Sequence, residues 1–432
     1  MNYNETINYL YNSVPMFQRV GAVAYKEGLQ NTEALDEHFN HPHRKFRTLH
    51  VAGTNGKGSC SHTLAAILQS AGYKVGLYTS PHLIDFRERI KINGHCMSKE
   101  YVVDFVEQER SFFEPLHPSF FELTTAMAFK YFADQNVDIA IIEVGLGGRL
   151  DCTNIITPLL SVITNISFDH TQFLGDTLAK IAGEKAGIIK KGIPVVIGEA
   201  DDETRPVFKQ KAEAEGSAIV FAEDDRQIIN ATMVAEGGMD YTTVDFGLLH
   251  GELGGIYQAK NANTVLCAVK QLRLNTGLKI SDNDVRNGFA TVVETTGLAG
   301  RWQKLHSHPT VICDTGHNVG GWRYIGEQLK MQKCHRMRIV FGMVDDKDIN
   351  TVIGMLPKTA EYYFTKATTK RAVNEKNVMK TGTAAGLHGR CFSDVITAYR
   401  QALGDASADD FIFVGGSSYI VADLLTELQH EE

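Results

Sequence analysis

The chain has 432 residues, of which 43% are hydrophobic and 22% are charged, and its formal net charge is −8. A chain of this length predicts two or three domains, and this composition excludes a largely disordered protein. The acidic balance argues against a broad nucleic-acid or membrane surface, although it is compatible with a local basic pocket for an anionic ligand.

Cysteine usage and the N-terminal sequence indicate where the protein works. The seven cysteines are an odd number and include no Cys-x-x-Cys pair, which fits a reducing compartment and argues against zinc. The N-terminus lacks a basic start followed by an apolar core, and the sequence contains no apolar run of about 18 residues. We therefore expect a cytoplasmic protein with no nucleic-acid or membrane partner, and we expect a monomer.

Up to residue 256, predicted helices and strands alternate along the chain. Residues 4–39 show helical spacing with breaks at Gly21 and Gly28, and a later helix ends at about Ala71. Further helices are predicted at 98–113, 119–135, 176–190 and 203–215, and strands at 47–52, 74–79, 89–92, 137–145, 159–166, 193–199 and 218–223. Residues 227–256 are rich in glycine and alternate polar with apolar residues, which predicts a small antiparallel patch.

A domain boundary is predicted where Gly297 and Gly300 interrupt the pattern. We place a first domain at residues 1–296, a linker at 297–300 and a second domain at 301–432. The second domain contains predicted strands at 310–314, 338–343, 362–366 and 411–416. The predicted fold class is α/β, with a larger, mostly parallel domain and a smaller Rossmann-like one.

The strand at 47–52 breaks into a glycine-rich loop that continues as a helix. The loop consists of Gly53, Thr54, Asn55, Gly56, Lys57, Gly58 and Ser59. Glycines let backbone N–H groups approach an anion, and the helix adds its positive N-terminal end. Lys57 can then reach terminal phosphates, while the hydroxyl of Ser59 can ligate a magnesium ion that bridges them. The stretch therefore predicts a phosphate-binding loop, and the alternative is a glycine-rich turn without a ligand.

Three more polar residues of the first domain are candidates for the same site. Glu143 follows a buried apolar run, where its carboxylate can hold magnesium or pair with Arg149. His170 comes just after the strand at 159–166 and could supply an imidazole or serve a structural role. Lys185 lies among small residues in AGEKAGII, and a solvated helix lysine is the simpler alternative.

The second domain offers two candidate turns at the carboxyl ends of its strands. Asp314 and His317 lie in CDTGHN, a loop rich in hydrogen-bonding groups. The stretch GGSSYIVADLL at 415–425 is similar to a strand-to-helix anion turn but has no lysine. A packing turn is therefore the alternative for that stretch.

An ordered set of motifs spans nearly the whole chain: GTNGKGS, TSPHL, EVGLGGRLD, ITNI leading to DHTQFLG, GEKAGI, GRW and DTGHN. Together they resemble the folylpolyglutamate synthase/dihydrofolate synthase family of the Mur ligase superfamily. The resemblance implies a Mur-ligase-like phosphate-loop ATPase domain with a mostly parallel sheet, followed by a smaller Rossmann-like domain. It also implies an ATP-dependent amide ligase that joins L-glutamate to a folate through an acyl phosphate, giving ADP and phosphate. Dihydropteroate is an expected second acceptor.

The resemblance also implies roles for individual residues. ATP would be bound by the loop from Gly53 to Ser59, and Lys57, His170 and Lys185 would be catalytic. One Mg²⁺ would be held by Ser59 and Glu143, and a second by His170 and Lys185, the lysine being carbamylated. Further ATP contacts are implied for Asn261, Arg301, Asp314 and His317. Folate contacts are implied for Ser80, Pro81, His82 and Leu83.

Two motifs depart from the expected patterns. The second-domain loop usually reads DGAHNP, whereas this chain has DTGHNV, which keeps Asp314, His317 and Asn318 but changes the small residues and loses the proline. The phosphate loop has two residues between Gly53 and Gly56, where other phosphate loops have four. We expect the nucleotide contacts to survive these changes.

Three other functions are weighed against this one. A cell-wall Mur ligase normally carries a nucleotide-sugar domain ahead of the ATP machinery, and the stretch before the loop is too short for one. A nucleotide switch would explain the loop but gives no role to His170, Lys185 or the second domain. A degenerate homologue would have lost a metal or phosphate residue, and the sequence retains them.

Overall fold

The computed structural model describes residues 1–14 and 28–431, so the predicted break at Gly21 lies outside the described residues. The chain divides into two compact units. The first comprises Met1–Thr232, Asp240–Glu252 and Gln258–Leu298, and the second comprises Met233–Met239, Leu253–Tyr257 and Ala299–Glu432. The sequence-based division assigned both short segments of the second unit to the first domain.

An eight-stranded sheet with the order β4-β3-β2-β5-β1-β6-β7-β8 forms the centre of the first unit. Its strands are β1 (Arg47–Ala52), β2 (Val75–Tyr78), β3 (Ile90–Ile92), β4 (His95–Cys96), β5 (Ile139–Glu143), β6 (Leu160–Ile163), β7 (Val195–Ile197) and β8 (Ile219–Phe221). β3 pairs antiparallel with β2 and β4, and the other pairs are parallel. The carboxyl ends of β2, β5, β1 and β6 therefore lie side by side, which is where open parallel sheets bind ligands.

Helices cover this sheet, and several start at clear capping residues. They are α1 (Tyr3–Ser13), α2 (Gln30–His38), α3 (Lys57–Ser70), α4 (Lys99–Phe113), α5 (Phe120–Asp134), α6 (Thr171–Leu174), α7 (Leu178–Ala186), α8 (Arg205–Glu215), α9 (Gln258–Asn275), α10 (Asp282–Ala290) and α11 (Val292–Thr296). Ser119 and Glu122 form a reciprocal capping box at the start of α5, which satisfies backbone donors that the helix leaves open. A small sheet with the order β11-β10-β9 consists of β9 (Ile228–Met233), β10 (Met239–Thr243) and β11 (Leu248–Gly251).

Clusters of buried apolar side chains pack on the large sheet, and two of them seat its helices. One joins the N-terminal helices and α4 and α5 to the sheet, with Leu35, Val102, Phe129 and Ile142 among its members. The other includes Ile163, Ala182, Val195 and Phe208, and so seats α7 and α8. Among residues 1–14 and 28–431, no helix is long and apolar enough to cross a membrane.

The second unit is built on a six-stranded sheet with the order β12-β13-β17-β14-β15-β16. Its strands are β12 (Gln303–Ser307), β13 (Thr310–Asp314), β14 (Met337–Phe341), β15 (Glu361–Phe364), β16 (His388–Cys391) and β17 (Phe411–Gly415). Only the β12 pairing is antiparallel. The helices are α12 (Val319–Met331), α13 (Ile349–Met355), α14 (Glu375–Ala384), α15 (Val395–Gly404) and α16 (Ser418–Glu431). Trp302, Trp322, Phe341 and Phe413 lie in its core.

The structure confirms the α/β class and the predicted alternation of elements, and it corrects several bounds. The helix predicted at 176–190 spans Leu178–Ala186, and Gly187 after it packs where a Cβ atom would lie 2.4 Å from Cα of Arg149. The long helix α9 and the strands β12 and β16 were not predicted. Both strands have polar sequences, QKLHS and HGRC, with little burial.

Candidate active site

The glycine-rich loop connects β1 directly to α3. Gly53 and Gly56 have φ angles of 144° and 84°, and α3 begins at Lys57. A Cβ atom would lie 1.9 Å from Oγ1 of Thr164 at Gly53 and 2.3 Å from Oδ1 of Asn261 at Gly56. Glycine is therefore required at both positions for conformation and for packing.

The segment after β6 holds the first half of the loop. The backbone N–H groups of Thr54 and Asn55 donate to O and Oδ1 of Asn165 at 2.9 and 3.0 Å, respectively. The Thr164 hydroxyl donates to the carbonyl of Asn55 at 2.6 Å. These bonds explain why the ITNI motif accompanies the loop in the sequence. The N–H groups at the start of α3 have no partner within the helix, and they are suited to an anion.

The ammonium group of Lys57 folds back over the loop. Its Nζ donates to the carbonyls of Gly53 and Thr54 at 3.1 and 3.2 Å. The residue is partly exposed. A positive charge thus lies beside the helix N-terminus, as the sequence predicts for a group that meets phosphates.

Ser59 is 2% exposed, and α9 fixes its hydroxyl. Nε2 of Gln258 donates to Oγ of Ser59 at 3.1 Å, and Oε1 of Gln258 accepts from Nδ2 of Asn261 at 2.9 Å. Gln258 is 3% exposed and Asn261 is 8% exposed. The structure therefore brings Asn261, one of the predicted site residues, to the loop, and adds Gln258, which sequence reasoning missed. Its spacing of three residues from Asn261 places both on one face of α9.

Glu143 ends β5, between the ends of β1 and β2. The register pairs Glu143 with Val51 and pairs Ile142 with Tyr78, so Ser80 follows β2 on the other side of Glu143 from the phosphate loop. Glu143 is 3% exposed. Burial raises the pKa of the Cys60 thiol, and the negative charge of Glu143 raises it further, which indicates that the carboxylate lies close to α3. Arg149, the alternative partner, forms an ion pair with Glu184 at 2.9 Å.

Lys185 is only 4% exposed, so it is not a solvated helix lysine. Burial, followed by repulsion from the Lys57 ammonium, lowers the pKa of Lys185 to about 7. Asp169 opposes that shift. The glycines of EVGLGGRLD allow α7 to approach, since a Cβ atom at Gly148 would lie 2.8 Å from the carbonyl oxygen of Glu184. The structure thus brings Lys185 to the phosphate loop.

His170 lies beside Asp169 just before α6. Its backbone has a φ of 49°, its N–H donates to Oδ1 of Asp169 at 2.9 Å, and its Nε2 lies 3.8 Å from the same oxygen. Its side chain is 25% exposed. The imidazole is therefore accessible and lies next to the carboxylate that acts on Lys185.

The side chains of this region include oxygen donors of the kind that magnesium binds. Within the described ranges, no group of three or more His, Cys, Asp or Glu side chains could hold a metal ion by itself. Hydroxyl and carboxylate oxygens, such as those of Ser59 and Glu143, are the hard ligands that Mg²⁺ prefers, with phosphate oxygens and water as the remainder. The residues present fit a magnesium ion that arrives with a phosphate ligand. An unmodified Lys185 ammonium does not fit such a site because it has no lone pair to donate.

His82 lies between a buried arginine and a tyrosine. It belongs to the predicted folate segment, which consists of Ser80, Pro81, His82 and Leu83. Nε of Arg89 donates to Nδ1 of His82 at 2.7 Å, and Nε2 of His82 lies 3.2 Å from the Tyr11 hydroxyl. Since Nδ1 accepts, the imidazole is neutral with its proton on Nε2. Arg89 is 3% exposed, and its guanidinium stacks 5.3 Å over the ring of Phe120. Sequence reasoning missed Arg89, which lies in the predicted strand at 89–92.

In the second unit, Asp314 ends β13 and organises the turn around it. Its Oδ2 accepts from N of Trp302 at 2.8 Å and from the Tyr257 hydroxyl at 2.6 Å, and its Oδ1 accepts from N of Gly316 at 2.8 Å. Burial raises the pKa of Asp314, and these hydrogen bonds oppose the rise. The carboxylate thus holds the backbone of the turn in place at Trp302 and Gly316.

The same turn holds Arg301 and His317. Nη1 of Arg301 donates to the carbonyl of Gly300 at 3.1 Å and to the hydroxyl of Thr315. Nδ1 of His317 lies 3.1 Å from the carbonyl of Thr315. The structure therefore brings the three predicted second-unit residues to one loop.

Two other features of the second unit are close to this turn, and the segment after β17 starts beside Asp314, which pairs in register with Gly415. The turn after β17 has Gly416 at a φ of 111°, where a Cβ atom would lie 2.2 Å from the carbonyl oxygen of Gly342, so it serves as a tight packing turn. A cavity of about 550 Å³ is lined by Trp302, Lys304, Ile312, His335 and Phe411 among others, and it includes none of the predicted site residues.

Comparison with known families identifies the class of the protein. Residues 51–269 match the model of the Mur ligase middle domain, and residues 300–418 match that of the Mur ligase glutamate ligase domain. Escherichia coli FolC in complex with DHPP and ADP is similar over 100% of this chain and 98% of its own, with 29% identity and a TM-score of 0.85. The chain therefore belongs to the Mur ligase family.

Similarity to individual proteins defines the branch of the family. The Dihydrofolate synthase/folylpolyglutamate synthase of Bacillus subtilis is 34% identical over 94% of this chain and 95% of its own length. The Folylpolyglutamate synthase of Lacticaseibacillus casei is 32% identical over 98% and 97%, respectively. A bifunctional folylpolyglutamate synthase/dihydrofolate synthase with Mn, AMPPNP and L-glutamate bound shares 29% identity at a TM-score of 0.80, covering 99% of this chain and 98% of its own. The chain is a member of the folylpolyglutamate synthase/dihydrofolate synthase family, whose members are ATP-dependent ligases.

Proposed function

We propose that the protein is an ATP-dependent amide ligase that adds L-glutamate to tetrahydrofolate and its polyglutamates, and also to dihydropteroate. The observation that carries the proposal is the gathering of the phosphate loop, Lys57, buried Lys185 and Asp169 near the carboxyl ends of β1, β5 and β6. Family membership supplies the substrate class. ATP is the co-substrate, and ADP and phosphate are the products.

The chemistry accounts for the residue types. A carboxylate is a poor electrophile, so the folate carboxylate first attacks the γ-phosphoryl group of ATP and becomes an acyl phosphate, with ADP leaving. The α-amine of glutamate then attacks the acyl carbon and loses a proton, and the C–O bond to phosphate breaks. Lys57 and the N–H groups of α3 would neutralise and orient the phosphates, because catalysis of phosphoryl transfer is mostly positioning and charge stabilisation.

Ser59 and Glu143 would hold one Mg²⁺, and His170 and carbamylated Lys185 would hold a second. The metal ions would supply charge neutralisation at the phosphates. The lowered pKa of Lys185 supports the modification, since only a neutral amine attacks CO₂. That attack forms an N–C bond and releases one proton, and the resulting carbamate presents the oxygen donors that an ammonium lacks.

The hydroxyl ligand can be tested by comparing two serines. The proposal predicts that Ser59→Ala raises the Mg²⁺ concentration needed for half-maximal phosphate release by about tenfold, because a hard oxygen ligand is lost. Ser70→Ala is the matched control, because Ser70 lies at the opposite end of the same helix, α3. An equal shift in the two variants would contradict the metal-ligand role of Ser59.

Substrate contacts are proposed for two further groups of residues. Ser80, Pro81, His82 and Leu83 would contact the folate, and the fixed tautomer of His82 supports a defined hydrogen-bonding role there. Asn261, and in the second unit Arg301, Asp314 and His317, would contact the nucleotide. We also propose a monomer in the cytoplasm, which the seven free cysteines support.

The decisive experiment measures phosphate release from ATP by the purified protein. Release is expected only when L-glutamate and either tetrahydrofolate or dihydropteroate are both present, with a product heavier by one glutamyl residue in the mass spectrum. Release that needs neither substrate, or that a muramyl nucleotide stimulates instead, would overturn the proposal. If L-glutamate supported phosphate release with tetrahydrofolate but not with dihydropteroate, only the dihydropteroate activity would be removed from the proposal.

A further inference from the structure

One edge of the Arg301 guanidinium is tied down by the loop after β13. Nη1 of Arg301 donates to the carbonyl of Gly300 at 3.1 Å and to the hydroxyl of Thr315. That hydroxyl donates to the same carbonyl at 3.1 Å, and the backbone N–H of Thr315 also donates to it at 3.0 Å. Thr315 is 8% exposed, so these bonds are shielded from water.

The other edge of the guanidinium remains available. Among the residues that the structure describes, the recorded contacts of Arg301 are those of Nη1, and none is an ion pair. The oxygens of neighbouring Asp314 already accept from Trp302, Tyr257 and Gly316. A guanidinium carries five N–H donors in one plane, so fixing Nη1 also fixes the direction in which Nε and Nη2 can meet an anion.

We propose that Thr315 is a positioning residue that presets Arg301 for the phosphate groups of an adenine nucleotide. The inference rests on the proposed function, in which Arg301 contacts the nucleotide. The usual loop of the family has glycine at this place, and glycine has no hydroxyl to offer. Thr315 therefore gives this chain a restraint on Arg301 that the usual motif lacks, and it reduces the cost of ordering the long side chain when the nucleotide binds.

The test is calorimetric titration of the full-length protein with ADP and Mg²⁺. Thr315→Val keeps the β-branched shape but removes the hydroxyl, and we expect it to weaken ADP binding on the order of tenfold. Thr315→Ser restores a hydroxyl and is expected to bind ADP within about twofold of the unmodified protein. This split would assign the effect to the hydroxyl, and not to the size of the side chain. If Thr315→Val fails to fold, Thr315→Ala takes its place.

A double-mutant cycle decides whether Thr315 acts through Arg301. The structure predicts that Arg301→Ala weakens ADP binding and that adding Thr315→Val to it has no further effect, because the group being positioned is gone. Additive losses, or unchanged ADP binding by Thr315→Val, would overturn the inference. Unchanged binding by Arg301→Ala would overturn both the inference and the proposed nucleotide role of Arg301. Failure of the ligase assignment is distinguishable, since it appears as absent folate-dependent and glutamate-dependent phosphate release while ADP binding can still be measured.

Discussion

The phosphate loop of the first unit and the Asp314 turn of the second are both strand-end sites, but they are stabilised differently. At the phosphate loop, the partly exposed Lys57 ammonium lies near the buried amine of Lys185, and its repulsion helps burial to lower the pKa of Lys185 to about 7. At the Asp314 turn, one buried carboxylate accepts three hydrogen bonds and one arginine is held by a neutral hydroxyl.

The two sites therefore differ in role: the loop region is suited to the reaction, and the Asp314 turn is suited to holding groups in position. Repulsion between two neighbouring amines is relieved by an anion, so the loop region is suited to bind a polyanion and to react with it. A satisfied hydrogen-bond network gains little from a ligand but holds its backbone in place. Substitutions at the loop should therefore reduce turnover strongly, and those at the Asp314 turn should change affinity and stability modestly.

Lys57→Ala should give the largest effect. We expect turnover to fall by at least about a thousandfold, because a cation on the transferring phosphoryl group is lost. The melting temperature should stay nearly unchanged, since Lys57 is partly exposed and its ammonium donates to two carbonyls of the loop. Phosphate-release kinetics and a thermal melt measure the two effects. A variant that retains near-normal turnover would contradict the phosphate role.

Lys185→Ala should give the second-largest effect. We expect turnover to fall by about a hundredfold or more, because the ligands around a catalytic metal are disturbed. Small carboxylic acids such as acetate should restore part of the activity, because they can occupy the space of the carbamate. Lys180→Ala is the matched control, since Lys180 lies on the same helix, is 63% exposed and pairs with Asp176. Full activity of unrescued Lys185→Ala would rule out the second metal ligand.

The contrast between the two sites also shows what the sequence could predict. Local periodicity and glycine placement predict the strand β1 and the helix after the loop, and the structure confirms both elements. Contacts with distant segments did not follow. Gln258 reaches Ser59 from 199 positions away, and Arg89, which was predicted in a strand, ends a short 3-10 helix and donates to His82. Thr315 is a changed small residue in the motif, and only the fold reveals that its hydroxyl meets Arg301.

The pH dependence of stability offers a finer test of the loop region. In the unmodified protein the folded pKa of Lys185 is about 7, below its usual value of 10.5. Between these values the unfolded chain binds a proton that the folded protein does not, so this group makes stability rise with pH and lowers it as pH falls. Relative to Lys185→Met, the protein should gain about 2 kcal/mol of unfolding free energy from pH 7.5 to 9. Denaturant-induced unfolding in CO₂-free buffer measures this gain. If the unfolding free energies of both proteins changed in parallel with pH, the result would contradict a buried, neutral amine.

Tyr257→Phe should give the smallest effect and tests the Asp314 turn. Burial raises the pKa of the Tyr257 phenol far above its usual range, so the hydroxyl stays protonated and donates to Asp314. Removing it should cost about 1 to 2 kcal/mol of unfolding free energy, because a buried carboxylate loses a donor. ADP binding should weaken only about twofold, since Trp302 and Gly316 still hold the carboxylate.

Tyr363→Phe is the control for that variant, because the Tyr363 hydroxyl donates to Asp405 at 2.8 Å in the same unit but away from the turn. It should lose some stability and leave ADP binding unchanged. If Tyr257→Phe instead reduced turnover as strongly as Lys57→Ala, the Asp314 turn would take part in the chemistry itself. The distinction between a reacting site and a positioning site would then no longer hold.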